Sequence, residues 1–168
     1  VAEIAPESPF ALLSEDERRA WFAYMKVHLR LRYEMNRQLR ADHGLSLADF
    51  DVLVALTSDE DATLSVSDLA VRIGWERSRV SHHVRRMAAR GLVHTSSSAE
   101  DKRVTVVALT AAGRETLAAA SPSHVALVRT MFLDALDDRS TGEFAEWFEK
   151  IYDSLITHGT LPRPVDHP

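Results

Sequence analysis

The residues best placed to do chemistry lie between positions 76 and 103. At about 100° per helical residue, Ser78, His82 and Arg85 fall on one side of a helix spanning 76–90, flanked by Arg79 and Arg86. Val80, Val84 and Met87 fall on the opposite side, and His83 points partly toward that packing side. Guanidinium groups pair with guanine O6 and N7, hydroxyl and imidazole groups reach base edges or phosphates, and a helix N-terminus favours phosphate. One apolar side and one side carrying such groups is what a major-groove reader requires. The competing reading is a solvated surface helix whose arginines bind nothing.

The next segment adds weight to the first reading. Leu92-Val93-His94 and Val104 through Leu109 are apolar, β-branched-rich runs on either side of the polar stretch 95–103, which predicts a hairpin with a long charged tip. Lys102 and Arg103 sit at that tip, where they could enter a neighbouring minor groove. Asp101 beside them makes sense if its carboxylate holds the Arg103 guanidinium in one orientation. The charge distribution agrees. Residues 72–103 hold Arg72, Arg77, Arg79, Arg85, Arg86, Arg90, Lys102 and Arg103 against Glu76, Glu100 and Asp101, a local charge of +5 in a chain of net charge −5. A polyanion responds to the field of such a patch, while acidic elements elsewhere limit non-specific adhesion.

The elements that must position these groups follow from caps and periodicity. The 168 residues, 45% hydrophobic and 27% charged, suit one domain with terminal extensions. Residues 1–13 read as a flexible arm. Ser14-Glu-Asp-Glu17 is a capping box opening a long helix to about Arg40, stopped by Gly44. Ser46 caps a second helix, and a polar turn follows at 58–62. Ser65-Val-Ser-Asp68 opens a short helix closed by Gly74. After the 76–90 helix and the hairpin, Thr110 caps a helix expected to bend or break near Pro122 before reaching about Leu136. Ser140-Thr-Gly-Glu143 is read as the cap of a last helix, and residues 159–168 as a flexible tail. The fold class is therefore mainly α with a small β-hairpin wing. A winged helix-turn-helix lobe at 46–110 lies between a helix at 14–45 and helices at 111–158, both assigned to dimerisation.

Much chemistry is excluded. The absence of cysteine removes disulfides, thiolate metal sites and thiol nucleophiles. There is no HExxH, no Gly-rich phosphate loop and no GxSxG elbow, so an enzyme is not expected, and no catalytic residue or cofactor is assigned. His82 and His83 are adjacent and cannot chelate one ion without distortion. The first 20 residues carry five acidic groups and no long apolar run, so neither a signal peptide nor a membrane partner is expected, and the default location is the cytoplasm.

With these residues in place, a resemblance becomes specific. Leu69-Ala70-x-x-Ile73-Gly74-Trp75-x-Arg77-Ser78-x-Val80-Ser81-x-x-Val84-x-Arg86-Met87-x-x-x-Gly91-Leu92-Val93 resembles the helix-turn-helix of the MarR family of bacterial transcriptional regulators. Asp101-x-Arg103 and the later Leu109-Thr110-x-x-Gly113 resemble that family's wing and its exit into the next helix. The resemblance covers about residues 14–158. It implies a homodimer that reads a pseudo-palindromic operator in double-stranded DNA. Ser78, Arg79, Ser81, His82 and Arg86 match the family's groove-facing positions, Arg103 its minor-groove arginine and Asp101 the partner that positions it. Arg77, Arg85 and Lys102 complete the expected DNA-binding set. Glu76 departs from the family, which usually has Ser or Thr as the cap there.

Trp21, Phe22, Tyr24, Phe144, Trp147, Phe148 and Tyr152 make the first and last helices richer in aromatics than solvent-facing helices need. They serve either an intramolecular core or, as favoured here, a shared dimer interface. The resemblance also implies a small-molecule effector, and Tyr24, His28 and Arg32 could bind an anionic or aromatic one. The competing reading pairs the His and Arg with acidic residues across the dimer. Two other functions compete: a zinc-responsive regulator of the same fold, with Asp42, His43 and His124 as candidate ligands, and a winged-helix protein-interaction module.

Overall fold

The computed structural model describes residues 5, 7–57 and 61–164. The 58–60 part of the expected polar turn and positions 165–168 of the expected tail lie outside the described residues, as do positions 1–4 and 6 of the arm. Rather than continuing as a loose arm, Pro9–Leu12 form a 3-10 turn, with the Phe10 ring 4.9 Å from Phe22.

Helix α1 (Glu15–His43) starts at the Ser14/Glu17 capping box, with the Glu17 carboxylate accepting from the Ser14 N–H at 2.8 Å. It ends at Gly44, whose φ of +64° places it in the left-handed region that an L side chain rarely adopts. Leu39 is the one residue of α1 that is fully buried, so most of this 29-residue helix lies outside the chain's own core. Helix α2 (Leu47–Thr57) is the reverse case. Leu47, Phe50, Val52, Leu53, Ala55 and Leu56 are all buried, and a helix that is apolar on every side belongs at the centre.

The strand β1 (Thr63–Ser65) leads into α3 (Val66–Ile73), and α4 (Arg77–Ala89) follows. The hairpin strands are β2 (Val93–Ser97) and β3 (Thr105–Leu109). The sheet is antiparallel in the order β1-β3-β2, with Leu64 opposite Val107 and Val93 opposite Leu109. The third strand, β1, is not predicted from sequence: three residues are too few to show alternation, and its pairing with β3 is non-local. The core closes around Leu39, Leu45, Leu53, Leu56, Leu69, Val80, Val84, Met87 and Val107.

Helix α5 (Ala111–Met131) runs through Pro122 without the expected break. A helical proline lacks an N–H and crowds the preceding turn. Here the Ser121 hydroxyl donates to the Leu117 carbonyl at 2.7 Å and the Ser123 hydroxyl to the Ala120 carbonyl, so neighbouring acceptors are served. The helix ends at Phe132, and a 3-10 turn at Leu133–Ala135 precedes α6 (Asp138–His158). The cap of α6 is Asp137, which accepts from the Ser140 N–H at 2.7 Å, and not Ser140 itself. Asp137 offers a charged acceptor one turn earlier, and Glu143 pairs instead with Arg139 at 2.8 Å. Among the described residues, no helix is long and apolar enough to cross a membrane.

Candidate nucleic-acid interface

The two sides of α4 separate cleanly. Val80, Val84 and Met87 are no more than 2% exposed, whereas Arg77, Ser78, Arg79, His82, Arg85 and Arg86 are all exposed and Ser81 is half-buried. Helix α3, closed by Gly74, packs on the buried side, and Trp75 forms the turn between the two helices. Glu76 occupies the N-cap of α4 without a side-chain capping bond, as its departure from Ser or Thr foretold. The first-turn N–H groups are therefore not satisfied by a cap side chain.

Several arginines are held before any ligand arrives. The Arg79 guanidinium stacks over the Trp75 indole, 3.9 Å from the ring centroid. Arg86 Nη2 donates to His83 Nδ1 at 2.9 Å, and Arg85 Nε donates to the Ser81 carbonyl at 3.1 Å. Two other cations in the patch are internal struts. Arg72 donates to the Ala55 carbonyl at 3.0 Å, while Arg90 reaches Asp49 at 2.8 Å and the Gly44 carbonyl at 3.0 Å. The field on the outward face is accordingly smaller than the sequence count suggests.

Among the described residues, Asp49 and His83 are the buried polar ones, at 4% and 7% exposure. Asp49 Oδ1 lies 3.0 Å from His83 Nε2, and its Oδ2 accepts from Arg90 and from the Ser46 N–H. Burial pushes the Asp49 carboxyl up, but His83, Arg90 and Ser46 outweigh it and hold it well below the usual carboxylate range. Because His83 Nδ1 accepts from Arg86, the ring proton of the neutral imidazole belongs on Nε2, facing Asp49. Sequence reasoning placed His83 on the packing side but did not single out Asp49.

The wing differs from expectation in one respect. Lys102 and Arg103 are exposed at its tip, but Asp101 does not hold the Arg103 guanidinium. Its carboxylate accepts from the Arg103 backbone N–H at 2.9 Å, and its carbonyl accepts from the Val104 N–H at 2.9 Å. This is the local turn that Asp forms with its own backbone two residues on, so Asp101 shapes the loop rather than the side chain. The tip is closed by Ser98 donating its N–H to the Val104 carbonyl at 2.8 Å.

The effector and zinc candidates fare differently. Tyr24 and His28 have ring centroids 5.5 Å apart, and Arg32 lies 3.5 Å from Asp51 of α2. The acidic group facing Arg32 thus comes from its own chain. An open cleft of about 750 Å³ lies beside α1, lined by Lys26, Leu29, Arg30, Tyr33, Met131 and Phe132 among others, and none of the three effector candidates lines it. Asp42 accepts from Gln38, His43 contacts Ser123 at 3.0 Å, and His124 packs on Phe50 at 4.3 Å. Among the described residues, no three His, Asp or Glu side chains gather as a metal site.

Comparison with known proteins agrees with this arrangement. Residues 43–104 match the MarR family. The chain is 31% identical to AbsC, a MarR family transcriptional regulator from Streptomyces coelicolor, with a TM-score of 0.81 over 87% of this chain and 98% of AbsC. It is 29% identical to Sco3205, a MarR family regulator from the same organism solved in complex with DNA, with a TM-score of 0.84 over 93% of this chain and 98% of that one. A curated relative, the HTH-type transcriptional regulator YfiV of Bacillus subtilis, is 34% identical over 100 residues, which is 59% of this chain and 60% of YfiV's length. The chain belongs to the MarR family of winged helix-turn-helix transcriptional regulators.

Proposed function

We propose that the protein binds a pseudo-palindromic DNA operator as a homodimer and represses by occupying it. The observation that carries this reading is α4 itself: its apolar side is sealed in the core, and its other side presents Arg77, Ser78, Arg79, Ser81, His82, Arg85 and Arg86 outward. The exposed Lys102 and Arg103 of the wing supply a second contact in the adjacent minor groove. The DNA held by Sco3205, a relative of the same fold, supports the assignment. Phosphate contacts give affinity and the outward side of α4 gives sequence choice.

A second copy is the natural cover for the terminal helices. No residue of α6 is buried, Trp147 and Leu155 are 63% and 64% exposed, and Leu29 of α1 is 62% exposed. Apolar side chains in this number call for burial against a partner, and two readers are needed for two half-sites. Within this proposal, a small anionic or aromatic effector sits against Tyr24, His28 and Arg32. Its carboxylate competes with Asp51 for Arg32, which loosens the contact between α1 and α2. Such a ligand induces only by binding the DNA-incompetent arrangement more tightly.

The test is selection of bound duplexes from a random pool at near-physiological salt. Enrichment of a two-fold palindrome with half-sites about one helical turn apart is the expected result. Against the selected duplex, Arg103→Ala is expected to cost about 1–3 kcal/mol of binding with folding and dimerisation intact. An unchanged affinity would remove the wing from the interface. Failure to enrich any duplex would turn the reading toward a protein-interaction module.

A further inference from the structure

The buried imidazole on the inner side of α4 contacts groups that orient two of the helix's outward arginines, Arg86 and Arg79. His83 Nδ1 takes a hydrogen bond from Arg86, and its ring meets the Trp75 indole edge-on, with centroids 5.5 Å apart and planes at 87°. The opposite face of the arrangement is Arg79, stacked on the same indole at 3.9 Å. On its far side, His83 Nε2 lies 3.0 Å from Asp49 of α2, which is itself fixed by Arg90 and by the Ser46 N–H. We propose that His83 is a positioning residue for operator recognition, setting Arg86 directly and Arg79 through Trp75, and referring both to α2 through Asp49. The inference rests on the DNA-binding reading above.

The physical case is one of preorganisation. An exposed arginine left free on a helix loses rotamer freedom when it docks on a base or phosphate, and part of that cost is removed if a neighbour already restrains it. Arg86 and Arg79 are exposed on their outer sides yet tethered at one edge, which leaves donors free for DNA. A guanidinium has five N–H groups, so one bond to His83 does not exhaust it. The neutral imidazole suits the role because it accepts on Nδ1 while its Nε2 side faces a carboxylate. Glutamine offers a donor and an acceptor in the same place, whereas leucine offers neither.

The experiment compares the wild-type dimer with His83→Gln, His83→Leu, Arg86→Ala and the double variant His83→Leu/Arg86→Ala on the selected operator duplex. His83→Leu is expected to fold, because Asp49 keeps Arg90 and Ser46, and to bind about five- to tenfold more weakly. His83→Gln is expected to restore binding to within about threefold of wild type. Leucine at 83 is expected to cost less once Arg86 is alanine than it costs alone, the remainder being its effect on Arg79 through Trp75. A purely structural histidine would give additive losses and no rescue by glutamine, and that result overturns the proposal. If the leucine variant does not fold, the nitrogen-15 resonances of the Arg86 guanidinium in the free wild-type protein decide. Separate, slowly exchanging Nη signals are expected, and one averaged signal refutes the restraint. Loss of duplex binding by the wild type itself strikes the DNA-binding reading instead, so the two failures are distinguishable.

Discussion

Asp49→Ala is expected to cost about 3 kcal/mol of stability at neutral pH, although the residue lies away from the proposed DNA face. Removing one member of a buried ion pair typically costs about 3–5 kcal/mol, because the other member loses its partner. Here the low end applies, since Arg90 is 45% exposed and can turn to water. The carboxylate also closes the first turn of α2 by accepting from Ser46, whose hydroxyl accepts from the Asp49 N–H at 3.0 Å. The pH dependence has a fixed sign. Because the folded carboxyl is held below its usual value, its stabilisation is complete above the unfolded pKa of about 3.9 and is lost as the pH falls below it. Denaturant midpoints at a fixed protomer concentration, measured from about pH 7 to pH 2, are therefore expected to show no contribution from this group above about pH 5. Below about pH 4 they are expected to fall more steeply for the wild type than for Asp49→Asn. Parallel curves for the two proteins would mean that the carboxylate is not stabilised by His83 and Arg90.

How far the sequence discloses this architecture depends on how local each signal is. The Ser14/Glu17 box, the Ser46 and Ser65 caps and the Gly44 and Gly74 stops are decided within four residues, and the structure has them all. At Ser65 the Asp68 carboxylate takes the serine hydroxyl at 2.6 Å rather than the reciprocal backbone N–H, a choice between two local donors that spacing does not decide. The Ser140 cap fails because two local signals overlap and the earlier, charged one wins. The split of α4 into packing and outward sides is legible because helical geometry alone fixes it. What is not legible is contact across long sequence separations. Asp49 meets Arg90 from 41 positions away, and nothing in either residue's neighbourhood announces it. Arg90 and Arg72 consequently read as part of a basic face when they are struts. The role of Asp101 is a different kind of miss. The residue is located correctly, but an Asp two positions before an N–H has a strong local use, and that use precedes any pairing with a side chain.

Gly113→Ala supplies a sharper trial of the fold, because two physical effects predict opposite signs. Gly113 is buried in the first turn of α5, and helix propensity alone says that alanine there should gain about 1 kcal/mol. The contacts say otherwise. A methyl group at this position would overlap the Leu92 backbone carbonyl oxygen and come within 2.8 Å of Leu109 Cδ1. The Leu109 methyl can turn aside, but the Leu92 backbone cannot yield easily, since Leu92 precedes β2 and its carbonyl is engaged by the Thr110 hydroxyl at 2.9 Å. Thr110 also caps α5 by accepting from the Gly113 N–H at 3.0 Å, so threonine and glycine work together to seat the helix against the base of the wing. This is the physical content of the Leu109-Thr110-x-x-Gly113 exit: a cap that grips the sheet and a residue without a side chain where the backbones meet. The substitution is therefore expected to destabilise by about 2–3 kcal/mol, as overpacking of a close contact does. It should also weaken operator binding in the folded dimer, because displacing α5 from the wing alters the spacing between the tip and α4. Ala112→Gly in the same turn, exposed and free of such contacts, serves as the control and should cost no more than about 1 kcal/mol. A stabilised Gly113→Ala protein would show that propensity outweighs the contact and that α5 is not seated as closely on Leu92 as the geometry places it.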